Sequence, residues 1–350
     1  MPTATDAGRG RGRHTLAILL GLALSAVLLW WAMRGLRLAD VWTHIRSAPP
    51  GPLLLAVFLA TLTFPLRALR WRILLRLHDG TPLPLGPAWH ALAIGYMANN
   101  LLPLRAGELL RAFAASRLAP VRMSTAFASV AVERVFDALT VVAMLVVALL
   151  TADLPENIRF GELSVPALAR RIGILAAVAL LAAALVLARP DPAARLLERL
   201  VPWPALSRRL VGLLYGVRDG LAALRSPARL LLLGAWCVAV WCVNAVSFQA
   251  LFPGFGIDLG FAGAILVQSM IVFLIAAPST PGFVGTFEAG IVTALALYGI
   301  PGDRALAYAL TYHAATFLPI TLLGLWSTTR TIGWGELNRG RTQELGNRPA

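Results

Sequence analysis

Charged side chains are rare in this sequence, and most of those that could do chemistry fall inside or beside long apolar runs. They form three groups: Arg105, Glu108 and Arg111; Glu133, Arg134 and Asp137; and Glu288. Members of the first two groups are three or four residues apart, which places each group on one face of a helix. A charge at the centre of a bilayer costs roughly 2.5–3.5 kcal/mol on insertion scales, so such groups indicate function by default. Their types predict binding of a charged group, with arginines for a phosphate and carboxylates for a proton or an amine.

Each group also has a structural interpretation. The second group could neutralise itself and hold helices together, and Glu108 could pair with either arginine of its own group. His313, in an apolar setting, is typical of a satisfied core residue. Glu288 has no arginine within four residues, so we expect either a function or a counter-charge from a distant segment, with Arg134 and Arg105 as the expected partners.

Two turns rich in glycine, proline and amides accompany these charges. They supply the remaining candidate site residues: Asn99, Asn100 and Gly107 in the first turn, and Pro281, Gly282 and Gly285 in the second. Adjacent asparagines favour a turn whatever the function. Helices that begin at Gly107 and Gly282 would offer free N–H groups to an anion. On a helix that begins at the second turn, Glu288 would lie roughly 9–11 Å along the axis and be shielded from water.

The composition places these groups in a membrane protein. Apolar residues make up 58% of the 350-residue chain and charged residues 14%, whereas soluble domains carry about 25% charged residues. The apolar residues occur in long runs, which are typical of transmembrane helices. The net charge of +14 comes from arginines beside these runs, without any lysine, so nucleic acid is not a predicted partner. Cys237 and Cys242 would point about 140° apart on a helix, which argues against a disulfide between them.

The distribution of arginines predicts an all-α polytopic membrane protein with about six full transmembrane helices and two broken re-entrant hairpins. The predicted full spans are 15–33, 53–71, 124–150, 171–188, 229–252 and 305–328. A signal peptide is the alternative for the first of these. The short run at 88–102 has arginines on both flanks, which predicts a hairpin over 88–120 that is entered from the cytoplasm. The arms at 261–277 and 283–300 predict a second hairpin entered from outside, and eight full crossings are the alternative.

The order of elements predicts two membrane halves, at 15–150 and 171–328, with cytoplasmic tails at 1–14 and 329–350. The second half includes a basic cytoplasmic linker at 189–229 whose spacing is amphipathic. Each half would consist of two helices, a broken hairpin and a final helix, in opposite orientations. Interrupted segments at corresponding positions of two inverted halves are typical of a transporter's binding site.

Motifs of well-known enzyme classes are missing from the sequence. It has no His-Glu-x-x-His, no Gly-x-Ser-x-Gly and, lacking lysine, no Gly-x-x-x-x-Gly-Lys. The longest polar segment, at 189–229, is too short for a catalytic domain. We therefore expect no enzymatic activity, no cofactor and no metal site.

Four segments in order resemble the transmembrane flippase domain of lysylphosphatidylglycerol synthases, a family with many stand-alone members. They are Arg67–Arg72 (RALRWR), Gly95–Arg111 (GYMANNLLPLRAGELLR), Val132–Asp137 (VERVFD) and Pro278–Glu288 (PSTPGFVGTFE). The resemblance covers about residues 15 to 328. In the family the last motif commonly has two adjacent glycines, whereas Phe283 follows Gly282 here. The resemblance implies lipid translocation and, because we expect no soluble aminoacyl-transferring domain, argues against lipid lysylation.

The leading hypothesis is a flippase or transporter that moves an anionic or zwitterionic lipid, polyprenyl and hopanoid types included, across the cytoplasmic membrane. Both termini are predicted to be cytoplasmic. One alternative is an intramembrane enzyme acting on a lipid-linked substrate, with Glu133 and Asp137 as its acid–base pair. Another is a non-transporting partner of a lipid-modifying enzyme. The expected partners are membrane lipids, and such an enzyme is a further candidate.

Overall fold

The fold was analysed in a computed structural model. The structure describes residues 23, 26–77, 79–102, 105–152, 154–156, 159–160, 163–188, 190–200, 202–204, 206–208, 211–212, 227–276 and 281–346. Their helices are α1 (26–33), α2 (Leu38–Ser47), α3 (Pro50–Leu74), α4 (Leu85–Leu101), α5 (Gly107–Leu118), α6 (Met123–Thr151), α7 (Val165–Ala188), α8 (Pro190–Leu200), α9 (Pro227–Leu251), α10 (Phe261–Ala276), α11 (Thr286–Ala296) and α12 (Gly302–Gly346). Short 3-10 turns lie at Phe252–Phe255 and Pro281–Phe283. A small antiparallel hairpin pairs β1 (Arg159–Phe160) with β2 (Leu163–Ser164).

Helices long and apolar enough to cross a membrane confirm the prediction of a multi-pass helical membrane protein. Within the described residues these are Pro50–Leu74, Met123–Thr151, Ala228–Phe255 and Gly302–Thr331. Most of the predicted first span, and most of the linker beyond α8, lie outside the described residues. Both cysteine thiols are free, as their spacing predicts.

The first predicted hairpin is formed by α4 and α5. The two helices have 17 and 12 residues, or roughly 26 and 18 Å, so each is shorter than a hydrocarbon core of about 30 Å. Leu83, just before α4, and Ala119, just after α5, belong to one buried cluster with Trp71 and Leu75. The chain therefore enters and leaves this hairpin at the same end, which favours the re-entrant form over two full crossings.

The second hairpin is formed by α10 and α11, of 16 and 11 residues. Near its entrance, a Cβ added to Gly263 would lie 3.4 Å from the hydroxyl of Tyr298, just past the end of α11. Halfway along, a Cβ on Gly290 would lie 3.3 Å from the Cα of Ile271. The two arms thus run side by side, and this hairpin also returns to the end at which it begins.

The packing of the helices is symmetric between the two halves of the chain. The helix α3 packs on its counterpart α9. The first arm of each hairpin packs on the final helix of the other half: α4 packs on α12, and α10 packs on α6. The second arm of each hairpin packs on the final helix of its own half: α5 packs on α6, and α11 packs on α12. Each of these contacts is reproduced when the halves are exchanged, as expected of an internal two-fold repeat. The two hairpins also contact each other, since α4 packs on the turn at Pro281–Phe283.

Glycine permits the close approach that sets the first hairpin. A Cβ on Gly95 would lie 2.6 Å from the Cβ of Arg111, and a Cβ on Gly107 would overlap the carbonyl oxygen of Gly95 and the side chain of Asn99. No larger residue fits at either position without moving backbone. The contact fixes the positions of Asn99 and Arg111 relative to each other.

Candidate functional site

A cavity of about 510 Å³ lies between the two hairpins, where the halves meet. Its polar wall consists of charged and amide side chains: Arg67, Asn99, Asn100, Arg105, Glu108, Arg134, Asp137, Asn244, Gln268 and His313. Ring side chains form much of the rest, among them Phe64, Tyr96, Trp241, Phe248, Phe287, Tyr312 and Phe317. A cavity of this size, mostly apolar with a few converging polar groups, is typical of a small-molecule or head-group site.

The sequence-predicted site residues divide into two sets. Those that line the cavity are Asn99, Asn100, Arg105, Glu108, Arg134 and Asp137. Those that do not line it are Gly107, Arg111, Glu133, Pro281, Gly282, Gly285 and Glu288. The second set shapes the turns or forms the charged network behind the wall.

A buried network of ion pairs connects α3, α5 and α6 behind the cavity. Arg111 donates to both carboxylate oxygens of Glu133, at 2.9 and 2.8 Å. Arg70 and Arg134 also reach Oε1 of Glu133, at 2.9 and 2.6 Å. Glu133 is 0% exposed and contacts three arginines, and a buried carboxylate needs such partners to stay charged.

Asp137 is the second carboxylate of this network. Its two oxygens accept from Arg70 at 2.5 and 3.2 Å, and Arg134 approaches it at 3.0 Å. The indole N–H of Trp241 donates to it at 2.9 Å. Asp137 thus contacts two arginines and an indole, as Glu133 contacts three arginines. These contacts fit the structural interpretation, in which the charges hold helices together.

Glu108 and Arg105 differ from the expected arrangement. Arg105 precedes α5 with a φ of 53°, so it is not on the helical face that it was expected to share, and its Nη2 donates to the carbonyl of Ile275 on α10 at 2.6 Å. Because Arg111 turns away to Glu133, the nearest ion-pair partner of Glu108 is Nε of Arg134, at 3.8 Å. Neither arginine of its own group therefore lies within 4.0 Å of Glu108 among the described residues, so the structural alternative of an ion pair within the group is not found.

The N-terminus of α5 does begin at Gly107, as predicted, but its first N–H is not free. Gly107 donates to Oδ1 of Asn99 at 2.9 Å. Asn100 points to the other half of the chain, where its amide donates to Oγ1 of Thr321 at 2.9 Å. The adjacent asparagines thus close the turn and fasten it to α12. They do so while lining the cavity.

The second turn also differs from the prediction that a helix begins at Gly282. Gly282 has a φ of 68° inside the 3-10 turn, and Gly285 has a φ of 86°. These left-handed conformations break the chain, so α11 begins only at Thr286. Glu288 accordingly lies in the first turn of the helix, where Oε2 accepts from the N–H of Gly285 at 2.7 Å. The expected depth of roughly 9–11 Å along a helix is therefore wrong, and the N–H of Gly285 is also occupied.

The partner of Glu288 is His313 on α12 rather than Arg134 or Arg105. Oε1 of Glu288 and Nδ1 of His313 are 2.6 Å apart, and Glu288 is only 2% exposed. His313 lines the cavity, with its ring 4.4 Å from that of Phe287. His313 is therefore more than an apolar-core residue, because it joins the second hairpin to the last span beside the cavity.

Arg67 is not among the sequence-predicted site residues, and Asn244 and Gln268 are only weaker polar candidates within the apolar runs. Arg67 is 7% exposed, and its guanidinium lies over the rings of Tyr96 and Trp241, at 5.6 and 5.3 Å. The amide of Asn244 donates to Oε1 of Gln268 at 2.7 Å. The three-residue spacing of Arg67 and Arg70 in an apolar run was the available signal, although arginines there are also common as membrane-flanking anchors.

Comparison with known proteins places the chain in a family. The family described as the lysylphosphatidylglycerol synthase TM region matches residues 18–324. The glycosyltransferase AglD of Haloferax volcanii is similar at 27% identity over 338 residues, which are 87% of this chain and 53% of that protein. This chain thus spans about half the length of AglD. Two UPF0104 membrane proteins of Methanothermobacter thermautotrophicus are 24% and 22% identical, and the matches cover 88% and 82% of this chain and 90% and 85% of theirs. The chain belongs to the lysylphosphatidylglycerol synthase transmembrane-region family.

Proposed function

We propose that this protein is a lipid transporter that moves the head group of an amphipathic lipid across the membrane through the central cavity. The observation that carries the proposal is the cavity itself, a mostly apolar space of about 510 Å³ between the helices into which several charged and amide side chains converge. Charged groups inside a membrane protein cost free energy and are retained where they serve a pathway or a site. In this mechanism the acyl chains remain in the bilayer while the head group passes between the hairpins.

The symmetry of the helix packing supports transport over static binding. The first arm of each hairpin packs against the final helix of the other half, and we propose that rocking of one half against the other opens the cavity at one end or the other. Interrupted segments at the interface of two repeats are where membrane transporters place their substrate sites. The ion-pair network at Glu133 lies within the first half and would move with it as a rigid unit.

An intramembrane enzyme is less well supported. The carboxylates proposed for acid–base chemistry, Glu133 and Asp137, are held by arginines and an indole. We propose that the chain is not itself an enzyme, that it resides in the cytoplasmic membrane with both termini in the cytoplasm, and that its partners are lipids. A glycosyltransferase among its relatives makes a lipid-modifying enzyme a reasonable partner to test by co-purification.

Reconstitution into vesicles tests the proposal. Vesicles would contain traces of acyl-labelled fluorescent phosphatidylglycerol, phosphatidylcholine or lysyl-phosphatidylglycerol, and dithionite added outside would bleach the label that reaches the outer leaflet. In vesicles with wild-type protein, we expect the inner-leaflet label of at least one of these lipids to be bleached at least about tenfold faster than in vesicles without protein. No acceleration for any of them would overturn the proposal.

A matched pair of variants on α6 tests whether the cavity is the route. Ala138 lines the cavity, and Val147, on the same helix, is 54% exposed on the outer surface of the protein. Ala138→Phe should slow translocation at least about tenfold by filling the route, while Val147→Phe should leave the rate unchanged. Equal rates for the two variants would place the route elsewhere.

A further inference from the structure

We infer that the cavity selects an anionic, phosphate-bearing head group, which Arg67 and Arg105 bind, and that it disfavours a cationic one. This inference rests on the proposed function, because it names the class of lipid that the same cavity takes. It is carried by the charge balance of the cavity wall, by the way Arg67 is held, and by an unused hydrogen-bond donor on Gln268.

Arg67 is a buried cation whose N–H donors have no hydrogen-bond acceptor among the described residues. Its guanidinium carbon lies over the rings of Tyr96 and Trp241, 5.6 and 5.3 Å from their centroids. An aromatic face attracts the cation but does not supply the oxygen acceptors that match its N–H donors. In the described part of the chain no carboxylate lies within 4.0 Å of its nitrogens. A cation that is 7% exposed and unpaired is costly, and a bound phosphate would supply both the counter-charge and the acceptors that match its donors.

Arg105 is the second cation of the wall that has no carboxylate within 4.0 Å of its nitrogens among the described residues. Its Nη2 donates to the carbonyl of Ile275, which fixes the side chain across the gap between the hairpins and leaves its other donors available. Arg105 therefore joins the two halves at the cavity. An anion bound here would contact both hairpins at once.

The charges around the cavity do not cancel. Three arginines of the network, Arg70, Arg111 and Arg134, are balanced by three carboxylates, Glu108, Glu133 and Asp137. Arg67 and Arg105 then leave a surplus of two positive charges. Counting Glu288 as negative and its partner His313 as neutral still leaves a surplus of one. An ammonium group would enter a positive cavity in which every carboxylate of the described wall already has a cationic partner, so amine-bearing head groups are disfavoured.

Gln268 supplies an independent sign that an oxygen-rich ligand belongs in the cavity. It lines the cavity, is 1% exposed, and uses its carbonyl to accept from Asn244. Its Nε2 is buried and has no acceptor among the described residues. Leaving such a donor unsatisfied is costly, whereas an oxygen of a phosphate or of a hydroxyl-bearing head group would satisfy it.

The vesicle assay tests the selectivity when the three labelled lipids are compared directly. We expect wild-type protein to move anionic phosphatidylglycerol at least about tenfold faster than zwitterionic phosphatidylcholine or cationic lysyl-phosphatidylglycerol. Arg67→Gln should remove most of this preference, Arg67→Lys should keep part of it because the charge stays, and Arg122→Gln, at an exposed position, should keep all of it. Equal rates for the three lipids, or an undiminished preference in Arg67→Gln, would overturn the inference while leaving the transport proposal intact.

A binding measurement keeps the inference testable without transport. Short-chain dihexanoyl-phosphatidylglycerol should raise the melting temperature of the detergent-solubilised full chain, whereas dihexanoyl-phosphatidylcholine at the same concentration should not. The shift should be lost in Arg67→Gln and kept in Arg122→Gln. If phosphatidylglycerol raises the melting temperature but no lipid is moved in vesicles, the proposed transport is wrong and the inferred anion site is supported. Equal shifts for both lipids would contradict the inferred anion site.

Discussion

Replacing Glu133 by glutamine tests whether the buried ion pairs hold the first hairpin in place. Glu133 is contacted by Arg70, Arg111 and Arg134, at 2.9, 2.8 and 2.6 Å. Glutamine keeps the shape but removes the charge, so three arginines would face only two carboxylates. Removing one partner of a buried pair typically costs about 3–5 kcal/mol. Against a total stability of about 5–15 kcal/mol, the variant should lose a large part of its folding free energy.

The loss can be measured by unfolding the purified protein in micelles with increasing SDS. Arg111→Gln and the Arg111→Gln/Glu133→Gln double variant complete a double-mutant cycle, in which we expect a coupling energy of roughly 2–3 kcal/mol. Glu156→Gln, at an exposed position, is the matched control and should change stability by less than about 0.5 kcal/mol. A loss below about 1 kcal/mol for Glu133→Gln, with no coupling to Arg111, would refute the stabilising role of the network.

Three further predictions concern the hairpins. Gly107→Ala should destabilise the fold by about 3 kcal/mol or more, because the added Cβ would overlap backbone atoms. Gly234→Ala, whose Cβ would contact nothing, should be neutral or stabilising by up to about 1 kcal/mol. SDS unfolding of both variants measures the two changes in stability, and equal changes would contradict the prediction. Glu288→Gln should stay folded, since its amide oxygen can still accept from the N–H of Gly285. The variant should nevertheless translocate lipid at least about tenfold more slowly, which corresponds to roughly 1.4 kcal/mol in the barrier. If the variant were as fast as the wild type from roughly pH 5 to pH 8, the charge of Glu288 would have no role in transport. Single cysteines replacing Thr81 and Arg122 in a cysteine-free background should react with an impermeant thiol reagent from the same side of the membrane, the cytoplasmic one. Labelling from opposite sides would refute the re-entrant hairpin.

Patterns within short segments predicted most of the architecture. The apolar runs predict spans close to α3, α6 and α9, because a segment in the membrane must form all of its backbone hydrogen bonds internally, as a helix does. Arginines on both flanks of a short run predicted the α4–α5 hairpin, because few arginines are tolerated on the outer side. The sequence also predicts Asn99 and Asn100 as cavity candidates, since two amides at membrane depth suit a polar cavity.

Contacts between distant segments were not predictable in this way. His313 is 25 residues from Glu288, and nothing in the local pattern of either residue specifies the other. The true start of α11 depends on positive φ angles at Gly282 and Gly285, which a single sequence does not reveal. Arg67 has the same local signature as an interfacial arginine. Only the packing of α3 against α9, which brings Trp241 to it, places it in the cavity.

Mapping where a lipid head group touches the protein tests the central claim most directly. A phospholipid with a photoreactive diazirine in its head group would be added to wild-type protein in vesicles, irradiated, and its adducts located by mass spectrometry. We predict adducts on cavity-lining residues of both halves, such as Tyr96, Phe287 and Phe317, and their loss in Ala138→Phe. Adducts confined to outward-facing residues such as Leu175 and Leu322 would contradict the claim that the cavity holds the head group.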